Sequence, residues 1–303
     1  MRLPKVTVCI PAYNEEANIK NLLLSILSQA EDGFVLEEVL VCSDGSTDGT
    51  VLSVSSIADA RVMLRHSEIR RGKVAIINEQ LKACKSDVLV QFDADIKLPD
   101  AFVISKLVKP FLKDDYPDVV CGMHWPLPPR TFIEQLAYFG ADCWEVAKIQ
   151  LGEYGDMYNS LGQVRAFSSR FIKNLTLPKD VGTFEDTYIF LFAKSKGYKV
   201  AMAHDAVVNF RLASTWRDYI KQMSRFVIVK EIAKQYFSSK FIKRYEHMTL
   251  WVRAKVFLSK VFIYPLYISL GYLVLQLIVK LRASIKFAHV RMWDSAGSSK
   301  VIE

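Results

Sequence analysis

Val88-Leu89-Val90-Gln91-Phe92-Asp93-Ala94-Asp95 is the stretch from which the fold can be read. It opens as a buried β-strand: an apolar run rich in β-branched residues follows the polar Lys85-Ser86-Asp87. It closes on two carboxylates one residue apart. If the extended backbone continues, Asp93 and Asp95 face the same way, because strand side chains repeat every second residue. Strand-end carboxylates are hard oxygen ligands suited to Mg2+ or Mn2+, and they leave coordination positions for a substrate diphosphate. An isolated Asp-x-Asp is equally an ordinary polar turn, so the chain around it decides.

Upstream, strand and helix alternate. Residues 6–10 form a strand that Pro11 is expected to stop. Pro11-Ala12-Tyr13-Asn14-Glu15-Glu16 then leads into a helix with Ile19, Leu22, Leu23, Ile26 and Leu27 on one face. Asn14 suits the N-cap and the two glutamates suit the positive helix start. A second strand, 37–41, ends in the polar turn Ser43-Asp44-Gly45-Ser46-Thr47-Asp48-Gly49-Thr50. A third falls within 59–64. Arg70-Arg71-Gly72-Lys73 then precedes a helix reaching Leu81. The alternation predicts an α/β protein with an open, mostly parallel sheet flanked by helices, ligands binding at the carboxyl ends of the strands. The turns at 11–16, 43–50 and 93–95 all fall on that edge. Tyr13 can stack on a nucleobase, Asp44 can accept its N–H groups, and Lys73 with Arg70 and Arg71 can hold a diphosphate. Plainer readings exist: Asp44 as a turn residue, the basic run as a solvated cluster.

A chain of 303 residues, 51% of them hydrophobic, has ample material for a core. Lys and Arg number 40 against 32 Asp and Glu, a balance suited to phosphorylated substrates or an anionic membrane surface. No nucleic-acid partner is expected, since zinc spacing, a basic arm and known binding motifs are all lacking. Cys9, Cys42, Cys84, Cys121 and Cys143 are scattered without paired spacing, which suggests reduced, mostly buried thiols. The first strand is too short for a signal-peptide core, so none is expected.

The segments at 10–16, 41–50, 71–73 and 93–95, taken in that order, resemble the signatures of family-2 glycosyltransferases with the GT-A fold. The resemblance implies a nucleoside-diphosphate sugar donor, a divalent cation and sugar transfer. It places Pro11, Tyr13, Glu15 and Asp44 around the nucleoside, Lys73 by the phosphates, and Asp93 and Asp95 at the metal and diphosphate. Ser43 stands where the family usually carries the first of two acids, so base recognition falls to Asp44. Farther on, Gly182-Thr183-Phe184-Glu185-Asp186 matches the family's acidic pair. Transfer needs a base for the acceptor hydroxyl, and the match assigns Asp186 to that role with Glu185 orienting it. Gln222-Met223-Ser224-Arg225-Phe226 resembles the Gln-x-x-Arg-Trp segment of membrane polysaccharide synthases. It would bring Gln222 and Arg225 near donor and acceptor, with the aromatic packed beneath.

Between these segments, residues 98–112 read as a helix, 118–123 as a strand, 131–151 as an aromatic-rich helix and 197–202 as the last strand. Trp125 reads as a structural Trp, and His124 is a weak metal-ligand candidate. Residues 261–279 carry no charge, nearly the length that spans a hydrocarbon core of roughly 30 Å. Pro265 would kink the run, and Lys255, Lys260, Lys280, Arg282 and Lys286 flank it on both sides. Basic flanks on both sides suit a re-entrant or interfacial helix at the cytoplasmic face better than a single pass. The expected organisation is a catalytic domain at 1–215, divided into a nucleotide half (1–97) and an acceptor half (98–215). Amphipathic interfacial helices follow at 216–250, then an apolar membrane-associated helix at 251–290 and a flexible tail at 291–303.

The leading expectation is an inverting, metal-dependent glycosyltransferase with a lipid-linked or glycan acceptor. A sugar-nucleotidyltransferase would want a Gly-rich basic loop after the first strand, where this chain is acidic. A non-catalytic scaffold of the same fold sits poorly with the retained acids.

Overall fold

Alternating apolar positions in the first hundred residues build the sheet. β1 (Lys5–Ala12), β2 (Val35–Asp44), β3 (Val62–Ser67) and β4 (Val88–Phe92) are separated by α1 (Ile19–Leu27), α2 (Thr50–Ser55) and α3 (Lys73–Ala83). Then come β5 (Ile96–Lys97), α4 (Val103–Val108), a 3-10 turn (Lys109–Leu112), β6 (Val119–Pro126), α5 (Phe132–Leu151), β7 (Val164–Ser168) and α6 (Ser169–Ile172). A second 3-10 turn (Lys179–Phe184) leads into α7 (Glu185–Ser195) and β8 (Val200–Phe210). The chain continues through α8 (Trp216–Ala233), α9 (Ser239–Arg244), α10 (Leu250–Val261) and α11 (Leu266–Ile285). The computed structural model describes residues 2–151, 157, 162–285 and 299–302.

The strand order is β3-β2-β1-β4-β7-β6-β8-β5. Its first four strands are all parallel, as expected. The second half is mixed: β6 and β8 are parallel, while β7 runs against both β4 and β6, and β5 against β8. Unlike a crossover helix, α5 does not return the chain to the amino edge. Val164 at the start of β7 pairs with Phe92 at the end of β4, so β7 enters from the carboxyl edge.

The two faces of the sheet feed separate cores, as the period of two demands. Val6, Val8, Ile10, Val39, Val41, Val88 and Val90 pack with residues of α1 and α4. Cys9, Leu40, Cys42 and Leu89 face α3 and α7. A third cluster joins α5, α8 and α11 through Phe139, Tyr219, Ile220, Ile268 and Leu275. Glycines permit the α5–α11 approach. A Cβ on Gly140 would lie 2.3 Å from the Tyr272 ring, and one on Gly271 would lie 2.9 Å from Leu136.

Several boundaries differ from expectation. β1 runs through Pro11 to Ala12, because Pro11 lies beyond the point where β1 pairs β4 and no ladder N–H is needed there. The helix expected at 98–112 shortens to α4, and Pro110 falls in the 3-10 turn after it. β8 extends to Phe210 because β5 and the end of β6 both pair with it.

The apolar run is not one helix. α10 stops at Val261 and α11 starts at Leu266, on either side of Pro265. Asp142 of α5 holds the corner. Its Oδ2 accepts from Tyr264 Oη at 2.9 Å and pairs with Lys260 Nζ at 2.7 Å. Lys260 therefore turns inward instead of serving as a free flanking charge; Lys286 lies outside the described residues. Among the described residues no helix is long and apolar enough to cross a membrane. Phe262 and Ile263 at the corner are nevertheless 91% and 69% exposed, and Leu266, Leu270, Val274 and Leu277 continue the exposed apolar surface along α11.

Candidate active site

Two of the signature loops are bonded directly to each other. The Asn14 amide donates to Ser46 Oγ at 3.1 Å, and Asn14 Oδ1 accepts from the Thr47 amide at 2.8 Å. Thr50 Oγ1 accepts from the Glu15 amide at 2.7 Å, and Glu16 Oε2 accepts from the Gly49 amide at 2.7 Å. Asn14 is thus no helix cap: α1 starts five residues later, and Asn14 adopts φ 54°, a left-handed geometry that Asn tolerates. The third loop is tied to the second. Asp44 accepts the Arg71 amide on Oδ1 at 2.6 Å and the Gly72 amide on Oδ2 at 2.8 Å. Gly45, at φ +68°, lets this turn close, since a Cβ there would meet the Arg70 amide nitrogen at 2.8 Å. Arg70 lies over the Tyr13 ring at 3.8 Å from its centroid. Asp44 therefore has a structural duty, although a carboxylate oxygen can accept more than one donor.

Against these loops sits an acidic cluster. Lys73 Nζ lies 2.8 Å from Asp93 Oδ1 and 3.1 Å from Glu185 Oε1, joining strand β4 to helix α7 across the sheet edge. Gly162 closes over this junction: a Cβ there would stand 3.6 Å from Lys73 Nζ and 3.7 Å from Glu185 Oε1. The Asp93 amide donates to the Gln163 carbonyl at 3.2 Å. β4 has ended at Phe92 and Asp95 lies in a turn, so strand alternation is not what unites the two acids. Their charges interact all the same, and Asp95 is felt in turn by Glu15.

Burial governs the electrostatics. Burial, reinforced by the neighbouring Glu185 charge, raises Asp186 to about 7, while Arg165 and Lys73 pull it down. Burial and the Asp93 charge raise Asp95 to about 6. Burial and the Asp95 charge bring Glu15 to about 7. Burial depresses Lys73, but Asp93 and Glu185 outweigh it and the ammonium is held above its ordinary value. Lys73 and Arg165 are the cations set among Asp93, Asp95, Glu185 and Asp186, and Lys300 also acts on Asp95. No three His, Cys, Asp or Glu side chains among the described residues form a ready cage.

Arg165 escaped the sequence reading. Its side chain is fully buried, and its Nε donates to Gln91 Oε1 at 3.1 Å. The signal was there: an arginine inside the apolar strand Val164-Arg165-Ala166-Phe167 needs a buried anion. The remaining predicted residues vary. Pro11 stays at the end of β1, beside the zipped loops. Gln222 and Arg225 are half-buried on α8, which packs against the turn leading into Glu185. Phe226 is 55% exposed and does not pack beneath them, because α8 buries Tyr219 and Ile220 in one cluster and Val229 and Ala233 in another. His124 is committed elsewhere: Nε2 is 3.0 Å from Glu145 Oε1 and Nδ1 meets Gln163 Oε1. That leaves no nitrogen for a metal. A hollow of about 580 Å³ lined by Asn78, Lys82, Asp87 and Ser169 lies at the amino end of β4, away from all these acids.

The parallel half-sheet, its zipped loops and its acidic carboxyl edge define an α/β transferase of the GT-A type. Residues 7–169, over half of the chain, match Glycosyl transferase family 2, and the chain belongs to that family. It is 27% identical to the glycosyltransferase AglD of Haloferax volcanii over 208 residues, 65% of this chain and 32% of that protein. It is 22% identical to the probable glycosyltransferase YdaM of Bacillus subtilis over 96% of this chain and 71% of that protein. The chain thus spans about a third of the haloarchaeal relative's length. Its fold is similar to the mannosyltransferase PcManGT from Pyrobaculum calidifontis, solved with GDP-Man and Mn2+. The TM-score is 0.61 at 20% identity, covering 95% of this chain and 81% of that one.

Proposed function

We propose that this family-2 glycosyltransferase is an inverting hexosyltransferase. It moves a sugar from a nucleoside-diphosphate donor to a lipid-linked or glycan acceptor at the cytoplasmic membrane face. The observation that carries the reading is the ion-pair junction of Lys73 with Asp93 and Glu185, set beside Asp186 and under the zipped nucleoside loops. The acceptor oxygen attacks the anomeric carbon as the bond to the diphosphate breaks, and the hydroxyl proton passes to Asp186. Burial raises Asp186 toward neutrality, which makes its carboxylate a stronger proton acceptor than a solvated one. Glu185, paired with Lys73, stands beside that base. Asp93 and Asp95 would hold a Mg2+ or Mn2+ ion, whose chemistry is to offset charge on the departing diphosphate. Tyr13, Glu15 and Asp44 would line the nucleoside, and Gln222 and Arg225 on α8 would serve the donor.

The exposed apolar surface of α10 and α11 supports the membrane-borne acceptor. The decisive experiment is D186N with nucleotide binding and transfer measured side by side. Transfer should vanish while nucleoside diphosphate binding with Mn2+ persists. Near-normal turnover would remove Asp186 from its role.

A further inference from the structure

The nucleoside loops already hold something: the chain's own Lys300. Its ammonium lies 2.8 Å from Glu15 Oε1, 2.5 Å from the Tyr13 carbonyl and 2.7 Å from the Asn14 carbonyl. It also stands 5.7 Å from the centroid of the Tyr13 ring. An ammonium has three N–H groups, and here each has an oxygen. The backbone is seated too. Asn18 donates its side-chain amide to the Lys300 carbonyl and accepts the Ile302 amide on Oδ1 at 3.2 Å. Asn18 and Ser299 are buried, so this is a fitted contact, not a brush against the surface.

We propose that residues 299–302 are a displaceable plug of the donor site, with Lys300 standing where a donor's nucleoside must go. This rests on the donor-site reading above. The Tyr13 and Asn14 carbonyls and the Glu15 carboxylate are acceptors. A nucleoside reaches such groups with ribose O–H and base N–H donors, the role the ammonium now fills. The three oxygens converge on the point where the ammonium stands, so a nucleoside that reaches all three has to take its place. The donor therefore binds only the fraction of molecules from which the segment has lifted, and its apparent affinity falls by that fraction. The grip is confined to four residues, one largely covered ion pair with Glu15 and a few hydrogen bonds, and a donor that uses the same oxygens competes with it directly.

The test uses the full chain and two variants: K300Q removes the ammonium, and I302P removes the amide held by Asn18. UDP and GDP are titrated calorimetrically with Mn2+, and exchange of the Ile302 amide is followed with and without nucleotide. Both variants should bind the preferred nucleotide about three- to tenfold more tightly than the parent. Nucleotide should also release the protected Ile302 amide in the parent. Unchanged affinity, or weaker binding by K300Q, overturns the plug, the latter by making Lys300 a donor ligand. If neither parent nor variants bind UDP or GDP, the donor-site reading itself falls, and the plug with it.

Discussion

The carboxyl edge of the sheet and the corner between α10 and α11 pose opposite problems. At the sheet edge, acids that would sooner be in water are gathered under cover, held by Lys73, Arg165 and backbone amides. At the corner, apolar side chains that would sooner be covered are left bare, Phe262 most of all. Both arrangements run against the folding preference of their residues, and each is held in place by rigid neighbours: the zipped loops in one case, Asp142 and the α5 packing in the other. Departures of this kind are where function concentrates, because stability alone would not maintain them.

The largest effects are expected at the sheet edge. D186N removes the proton acceptor and should lower transfer by about a thousandfold or more while nucleotide binding stays within about twofold. Steady-state kinetics with parallel calorimetry checks both numbers. K73M strips Asp93 and Glu185 of their shared cation, and should destabilise the fold by about 3 kcal/mol in urea unfolding. A loss below about 0.5 kcal/mol would mean that the junction is not energetically coupled. The base must be ionised, so a group at about 7 makes kcat/KM rise with pH through neutrality. Rates at pH 6 should be about tenfold below those at pH 8. A flat profile would detach the rate from this carboxylate.

The corner offers the complementary test. Placing Asp at both Phe262 and Ile263 adds charge where the parent exposes apolar rings and methyls. Co-flotation with anionic phospholipid vesicles should fall about tenfold with little change in thermal unfolding. Equal flotation would show that this surface serves something other than lipid. The smallest effect belongs to the loop zipper. T50V leaves the Glu15 amide without its acceptor, costing about 1 kcal/mol and raising the donor KM a few-fold.

The parallel half of the sheet was legible because its information is local. Each strand, turn and helix start is encoded within a few residues, and the three loops converge once the strands lie parallel. The acids of the site were legible for the same reason. Arg165 was not, because its value comes from Gln91 on a neighbouring strand and from Asp186 beyond it. Lys300 was hidden more deeply, since nothing near it in sequence points to Tyr13 or Glu15. The orientation of β7 was missed because alternation cannot tell a crossover from a return along the same edge. Hydropathy found the apolar run and Pro265 marked its kink, but the full break depends on Asp142 gripping Lys260 and Tyr264 from another helix, which no local pattern encodes.

The paired glycines of α5 and α11 have a mechanical consequence. Close approach at Gly140 and Gly271 leaves little room for the two helices to slide or roll past each other. α5 also carries Glu145, which pairs with His124 at the end of β6. The bare strip on α11 therefore keeps a set bearing relative to the catalytic edge, as a keel does to a rudder. Whatever surface the strip settles on, the sheet is presented to it at one fixed tilt.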